Sequence, residues 1–140
     1  MAISLTPFLA DTSYLALFVR LFFGVSLAMH GYPKVKGGWR RSGQWVKSMG
    51  IPAITAVFAT IIEFFGGLLL VVGLIVPIVA AFAAIQFASI IVMKASKMKA
   101  PYISMEAGKP SLEIDAFYMV IAIVLVVLGA GALSVDSLLF

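Results

Sequence analysis

Ala53-Ile-Thr-Ala-Val-Phe-Ala-Thr-Ile-Ile-Glu63-Phe-Phe-Gly-Gly-Leu-Leu-Leu-Val-Val-Gly-Leu-Ile-Val76 is one apolar run with a single charge inside it. It is long enough for a spanning helix, which needs about 20 residues. A charged side chain at the bilayer centre costs roughly 2.5–3.5 kcal/mol on insertion scales, so Glu63 requires a partner or a purpose. Helical spacing places Ala59, Gly66, Gly67 and Leu70 on or near its face. Small residues beside the carboxylate turn that face toward another helix and away from lipid.

Three more apolar blocks flank this one: Tyr14–Gly31, Ile78–Met93 and Ala116–Leu133. The chain has 140 residues, 63% hydrophobic and 11% charged, too few polar groups to clothe a soluble domain. The pattern predicts an all-α polytopic membrane protein, with residues 1–140 forming one antiparallel bundle of four transmembrane helices. Pro77 stands between the second and third blocks, so their turn is tight. Between the first and second, Trp39, Trp45, Val46 and Met49 fall on one side of a short helix. Arg40, Arg41, Gln44 and Lys47 fall mostly on the other. Gly37-Gly38 and Gly50-Ile51-Pro52 bound it. That is the pattern of an amphipathic helix lying in the membrane interface.

Charge sets the expected topology. Of the ten basic residues, all but Arg20 fall in the two connections between odd and even blocks. The positive-inside rule then puts loops 32–52 and 94–115 in the cytoplasm and both termini outside the cell membrane. The basic balance follows from this topology and does not indicate nucleic-acid binding. The first block has no basic residues before it and carries Arg20 within it. It reads as a retained helix preceded by a short outer segment, Met1–Thr12, and not as a cleaved signal.

Two polar groups stand out inside the apolar blocks. At about 1.5 Å per residue, Arg20 lies ~10 Å from the outer side, Gln86 ~13 Å and Glu63 ~15–20 Å. A long guanidinium could close that gap. Arg20 is therefore expected to reach Glu63, with Gln86 as a third partner, forming either a register-fixing ion pair or a polar pocket. A second group, His30, Lys34 and Asp115, is expected at the cytoplasmic end. It suits interfacial capping or contact with a headgroup or a quinone carbonyl.

Other chemistry is excluded. With no cysteine, the chain offers no disulfide, thiolate nucleophile or iron–sulfur ligand. Its one histidine cannot form a bis-histidine haem. No phosphate-binding glycine loop, metal-spaced cluster or nucleophile–base pair is present, so no residue is assigned a catalytic or metal-ligating role.

Four stretches carry a likeness to a known family: Arg20-Leu-Phe-Phe-Gly24, His30-Gly31-Tyr-Pro-Lys34, Glu63-Phe-Phe-Gly66-Gly67-Leu-Leu-Leu-Val-Val-Gly73, and Gly129-Ala-Gly131-Ala-Leu-Ser134-Val-Asp136. Taken in order, they resemble the DoxX family of small membrane proteins. The resemblance implies a four-helix bundle with Arg20, His30, Lys34 and Glu63 as its polar core residues. It also implies a link to sulfur-compound oxidation or terminal-oxidase systems, one relative resembling the membrane subunit of a thiosulfate:quinone oxidoreductase. The functional expectation is an accessory or anchoring subunit of a quinone-linked redox complex. Its partners would be the bilayer and other subunits, or further copies of itself, with quinone as the candidate cofactor. The alternatives are a non-enzymatic scaffold or assembly subunit, or a small proton-coupled transporter.

Overall fold

The computed structural model describes residues 12–140, so most of the expected outer segment Met1–Thr12 lies outside the described residues. The described chain is helical, without a strand. Its elements are α1 (Thr12–Pro33), α2 (Trp39–Ser48), α3 (Ile54–Val72), α4 (Val76–Lys97), α5 (Glu113–Leu128) and a short α6 (Asp136–Leu139). Three helical stretches, Thr12–Ser48, Ile54–Val72 and Val76–Lys97, are long and apolar enough to cross a membrane. The first bends at Lys36 and Gly37, whose φ of 111° requires a residue without a Cβ. This bend separates apolar α1 from basic α2.

Polarity is distributed as lipid demands. Phe18, Phe22, Met29, Ile85, Val92 and Val127 point outward and are exposed, while Arg20, Glu63, Gln86 and Asp115 are buried. Inside, Phe23, Leu27, Leu70, Val76, Val79, Ala80, Ala83, Phe87, Ala122 and Leu125 form the core. α4 and α5 pack along their length, and α1 packs against the second half of α3.

Glycine sets the α1–α3 spacing. A Cβ on Gly67 would come 2.6 Å from Ala28 N and 2.7 Å from Gly24 O; one on Gly24 would come 2.8 Å from Gly67 O. One on Gly31 would strike the Phe64 backbone. Main chains this close gain dispersion contacts, the main attraction available between helices in lipid. They also fix register: Gly24 opposes Gly67, and Gly31 opposes Phe64.

Two helices end earlier than their apolar runs suggest. α3 stops at Val72 instead of Val76, because Gly73 adopts a left-handed conformation at φ 78°. There its N–H and that of Leu74 both close onto Leu69 O at 2.9 Å. α5 stops at Leu128 instead of Leu133, at Gly129 with φ 70°. α1, α4 and α5 gain residues at other ends: α1 runs on through Pro33, α4 runs from Val76 to Lys97, and α5 begins at Glu113. Pro77 sits in the first turn of α4, where no intrahelical N–H is lost.

Candidate functional site

Arg20 is 2% exposed, yet it does not meet Glu63. Its Nη1 donates to Ala130 O at 2.9 Å and its Nη2 to Leu133 O at 2.6 Å. The guanidinium lies against Gly73, where any Cβ would collide with it. The expected Arg20–Glu63 pair is therefore replaced by an arginine clamp on the segment after α5. The α1–α3 register explains this. Arg20 faces Gly73, ten residues beyond Glu63 and so roughly 15 Å further along α3. That is more than an arginine side chain can span.

The same end of the molecule holds a second device. Asp136 accepts from Ile75 N through Oδ1 at 2.6 Å and from Val76 N through Oδ2 at 3.0 Å. It thus caps the N-terminus of α4 from across the chain, where a carboxylate is electrostatically favoured. Asp136 N returns a bond to Gly73 O at 2.9 Å. Ile75 is held at φ 47°, a strained value for a β-branched residue. Asp136 bonds its N–H directly.

Glu63 is 4% exposed and finds its cation in Lys34. Lys34 Nζ lies 2.5 Å from Glu63 Oε2, and Gln86 Nε2 donates to Oε1 at 2.9 Å. Lys34 was expected in the group with His30 and Asp115. It reaches Glu63 because helical backbone continues past Gly31 to Pro33 and into Lys34. Glu63 itself sits in a π-turn, Ile62–Gly66, within α3. Such wide turns occur mostly as single turns within α-helices, frequently at functional sites.

Asp115 pairs with neither His30 nor Lys34. It accepts from Lys94 Nζ at 2.5 Å. His30 stacks edge-on against Tyr118, ring centroids 5.5 Å apart, and Tyr118 also packs on Phe87 at 5.0 Å. These residues nonetheless share one space. A cavity of about 750 Å³ is lined by His30, Lys34, Glu63, Gln86, Lys94, Asp115 and Tyr118. The two polar groups separated in the sequence reading are thus joined into one, and Arg20 alone is left out.

The cavity exists because α3 and α4 diverge. Their contacts concentrate at the Gly73 end and the π-turn. Toward Ile54 the gap between them opens and is roofed by Ser42, Trp45 and Val46 of α2. Phe58, Phe82 and Ile85 form an apolar rim, and all three are exposed on the outer surface. An apolar space with a few convergent polar groups is the usual form of a small-molecule site, for which about 300–1,000 Å³ is typical. Lys34 is a three-proton donor held by one carboxylate, and Lys94, which also reaches Ser111 O at 3.4 Å, keeps one N–H more, so each has a donor for a ligand. Sequence reasoning missed Lys94 and the roof formed by Trp45 and Val46. The signal for Lys94 was available: a base ending α4 and an acid opening α5 lie at the same end of an antiparallel pair.

The chain belongs to the DoxX family, whose model matches residues 15–95. It is also similar to a protein of Bacillus subtilis (strain 168) bearing the name "Putative oxidoreductase CatD", 28% identical over 124 residues, covering 89% of this chain and 86% of that one. No solved structure matches.

Proposed function

We propose that this DoxX protein is the membrane subunit of a quinone-linked redox complex, and that the cavity receives the quinone headgroup. The observation that carries the reading is the pairing of an apolar rim between α3 and α4 with a polar wall of Lys34, Glu63, Gln86, Lys94 and Asp115. A quinone needs that combination: a hydrocarbon-side entrance for a molecule dissolved in lipid, and hydrogen-bonding groups for its two oxygens. The relative named as an oxidoreductase supports the same class. With no cysteine and one histidine in the sequence, electrons would enter from a partner subunit.

In this reading the membrane is crossed four times. α5 has 16 residues, about 24 Å at 1.5 Å per residue, and the following Gly129–Leu133 segment completes the span. The basic loops face the cytoplasm and the termini face outward in the cell membrane. α2 lies in the headgroup layer, its tryptophans inward and its arginines toward water. The cavity then opens at the cytoplasmic leaflet.

Trp45 in the roof provides the test. In a Trp39→Phe background its fluorescence should be quenched saturably by a decyl-benzoquinone, and Glu63→Gln should change the affinity. Absence of saturable quenching, or identical affinity in the variant, would remove the quinone reading. A scaffold or assembly role would then stand, favoured by the purely main-chain bonding of Arg20.

A further inference from the structure

The charges in the cavity wall are unevenly exposed. In each of its two ion pairs the lysine is the more open member: side-chain exposure is 30% for Lys34 against 5% for Glu63, and 21% for Lys94 against 11% for Asp115. Both oxygens of Glu63 are engaged, one by Lys34 and one by Gln86 Nε2. A third cation, Lys109, also lines the cavity. Its side chain is 61% exposed, and its partner Glu106 is not part of the lining. His30 adds a ring that is neutral or positive. The lining thus holds three ammonium groups and two carboxylates, and the carboxylates are the less accessible members of their pairs.

Position along the helices adds to charge. Lys34 directly follows α1, Lys94 lies in the last turn of α4, and Lys109 lies in the loop between α4 and α5. In the four-span reading these cations stand at the level of the lipid headgroups. Phe58, Phe82 and Ile85 form the apolar rim beside them. A molecule with a negative headgroup and a hydrocarbon tail presents its parts to the cavity in the same order.

We infer that the cavity selects an anionic headgroup, so that its quinone is an acidic one, whose ring hydroxyl is ionised at neutral pH. This rests on the quinone reading above. A hydroxyl on the quinone double bond is a vinylogous carboxylic acid, and its anion spreads the charge over two oxygens. An ammonium bonds such an oxygen more strongly than it bonds a neutral carbonyl. Glu63 and Asp115 oppose an anion, but each is neutralised by its own lysine, and Lys109 remains in excess within the lining.

The test is calorimetric titration of the full-length protein, in an uncharged detergent at neutral pH, with three probes. They are 2-hydroxy-3-decyl-1,4-naphthoquinone, which is ionised there, its neutral methyl ether, and decanoate, which has charge and tail but no quinone ring. The wild-type chain should bind the hydroxyquinone about tenfold more tightly than the ether, the gain when one acceptor becomes ionised. Lys94→Met combined with Asp115→Asn removes an accessible cation without stranding a carboxylate, and should bring the two affinities together. If that double variant does not fold, Lys109→Met decides, since it alters only an exposed loop residue, and it should reduce the preference to about a third. An unchanged preference in the variant that folds would overturn the inference. Equal wild-type affinity for hydroxyquinone and ether would also overturn it, and would leave the quinone reading standing. Decanoate bound as tightly as the hydroxyquinone, with the ether bound weakly, would uphold the anionic site and remove the quinone. No binding of any probe would overturn both.

Discussion

Lys34 Nζ lies 2.5 Å from Glu63 Oε2 and supplies the charge that lets a carboxylate exist in the middle of an apolar helix. The pair is asymmetric: the lysine side chain is 30% exposed and the glutamate side chain 5%. Lys34 is thus partly open to its surroundings, whereas Glu63 is not. Removing either partner has different consequences. Lys34→Met strands a buried carboxylate and should destabilise the protein by about 2–3 kcal/mol, between the exposed and fully buried ranges. Adding Glu63→Leu to Lys34→Met removes the stranded charge and should restore most of that loss. Thermal melting in one detergent, applied to the single and double variants, checks this; a double variant no more stable than Lys34→Met would contradict it.

Arg20 serves a different end of the molecule, and its chemistry is that of a planar fork. Two of its donors reach Ala130 O and Leu133 O, while the guanidinium fills the space where a Cβ on Gly73 would sit. Lysine has the charge but neither the plane nor the paired geometry. Arg20→Lys should therefore release the Gly129–Phe140 segment while leaving the Glu63 cavity intact. Limited proteolysis read by mass spectrometry should show earlier C-terminal cleavage. Cleavage like that of the wild type would show that charge alone suffices.

That both Arg20 and Glu63 are buried was legible in the sequence, because each interrupts an apolar run. Their partners were not. Reading each helix by its own face gives depth only to within a turn or two, and a pairing error of ten residues is hidden in that uncertainty. The missing constraint was register, and it resides in Gly24, Gly31 and Gly67. The small-residue face at Gly66 and Gly67 was visible, but which glycine opposes which residue depends on both helices at once. Helix ends failed for a related reason. Gly73 and Gly129 terminate α3 and α5 inside continuous apolar sequence, where hydropathy has no signal and only backbone conformation does. Lys34 was separated from Glu63 because the apolar block ends at Gly31, whereas the helical backbone continues through Pro33. The interface-type pattern of Trp39, Trp45 and Val46 foresaw a helix at α2, but not that two of those residues roof a cavity.

The register argument makes its own prediction. Gly67→Ala places a methyl 2.6 Å from Ala28 N, against backbone that cannot rotate away. α1 and α3 must separate or slide, and Lys34 then loses its alignment with Glu63. Loss of well over 2 kcal/mol is expected, in the upper part of the range for overpacking, which is about 1–3 kcal/mol. Gly43→Ala is the control: its added Cβ would meet Ala53 Cβ at an ordinary 3.5 Å, and it lies within regular helix. That substitution should be neutral or slightly stabilising. Comparable melting temperatures for the two variants would refute close glycine packing as the source of the register.

Asp136 joins the clamp to the α3–α4 turn, and its two oxygens have separable roles. One bonds Ile75 N at 2.6 Å and the other Val76 N at 3.0 Å. Asparagine retains one acceptor but offers an NH2 where the second N–H must be met, so one bond becomes a clash of donors. It also removes the negative charge from the N-terminus of α4. Asp136→Asn should therefore lose about 1–2 kcal/mol, near the top of the range for a helix cap. Asp136→Ala should lose somewhat more, since the strained Ile75 conformation then has no bond to hold it. Hydrogen exchange localises the effect: the amides of Ile75 and Val76 should lose protection first, while Glu63 and its neighbours in the π-turn remain protected. Uniform loss of protection along α3 and α4 would mean that the cap and the cavity form one cooperative unit, and that the two ends of the bundle are not independent.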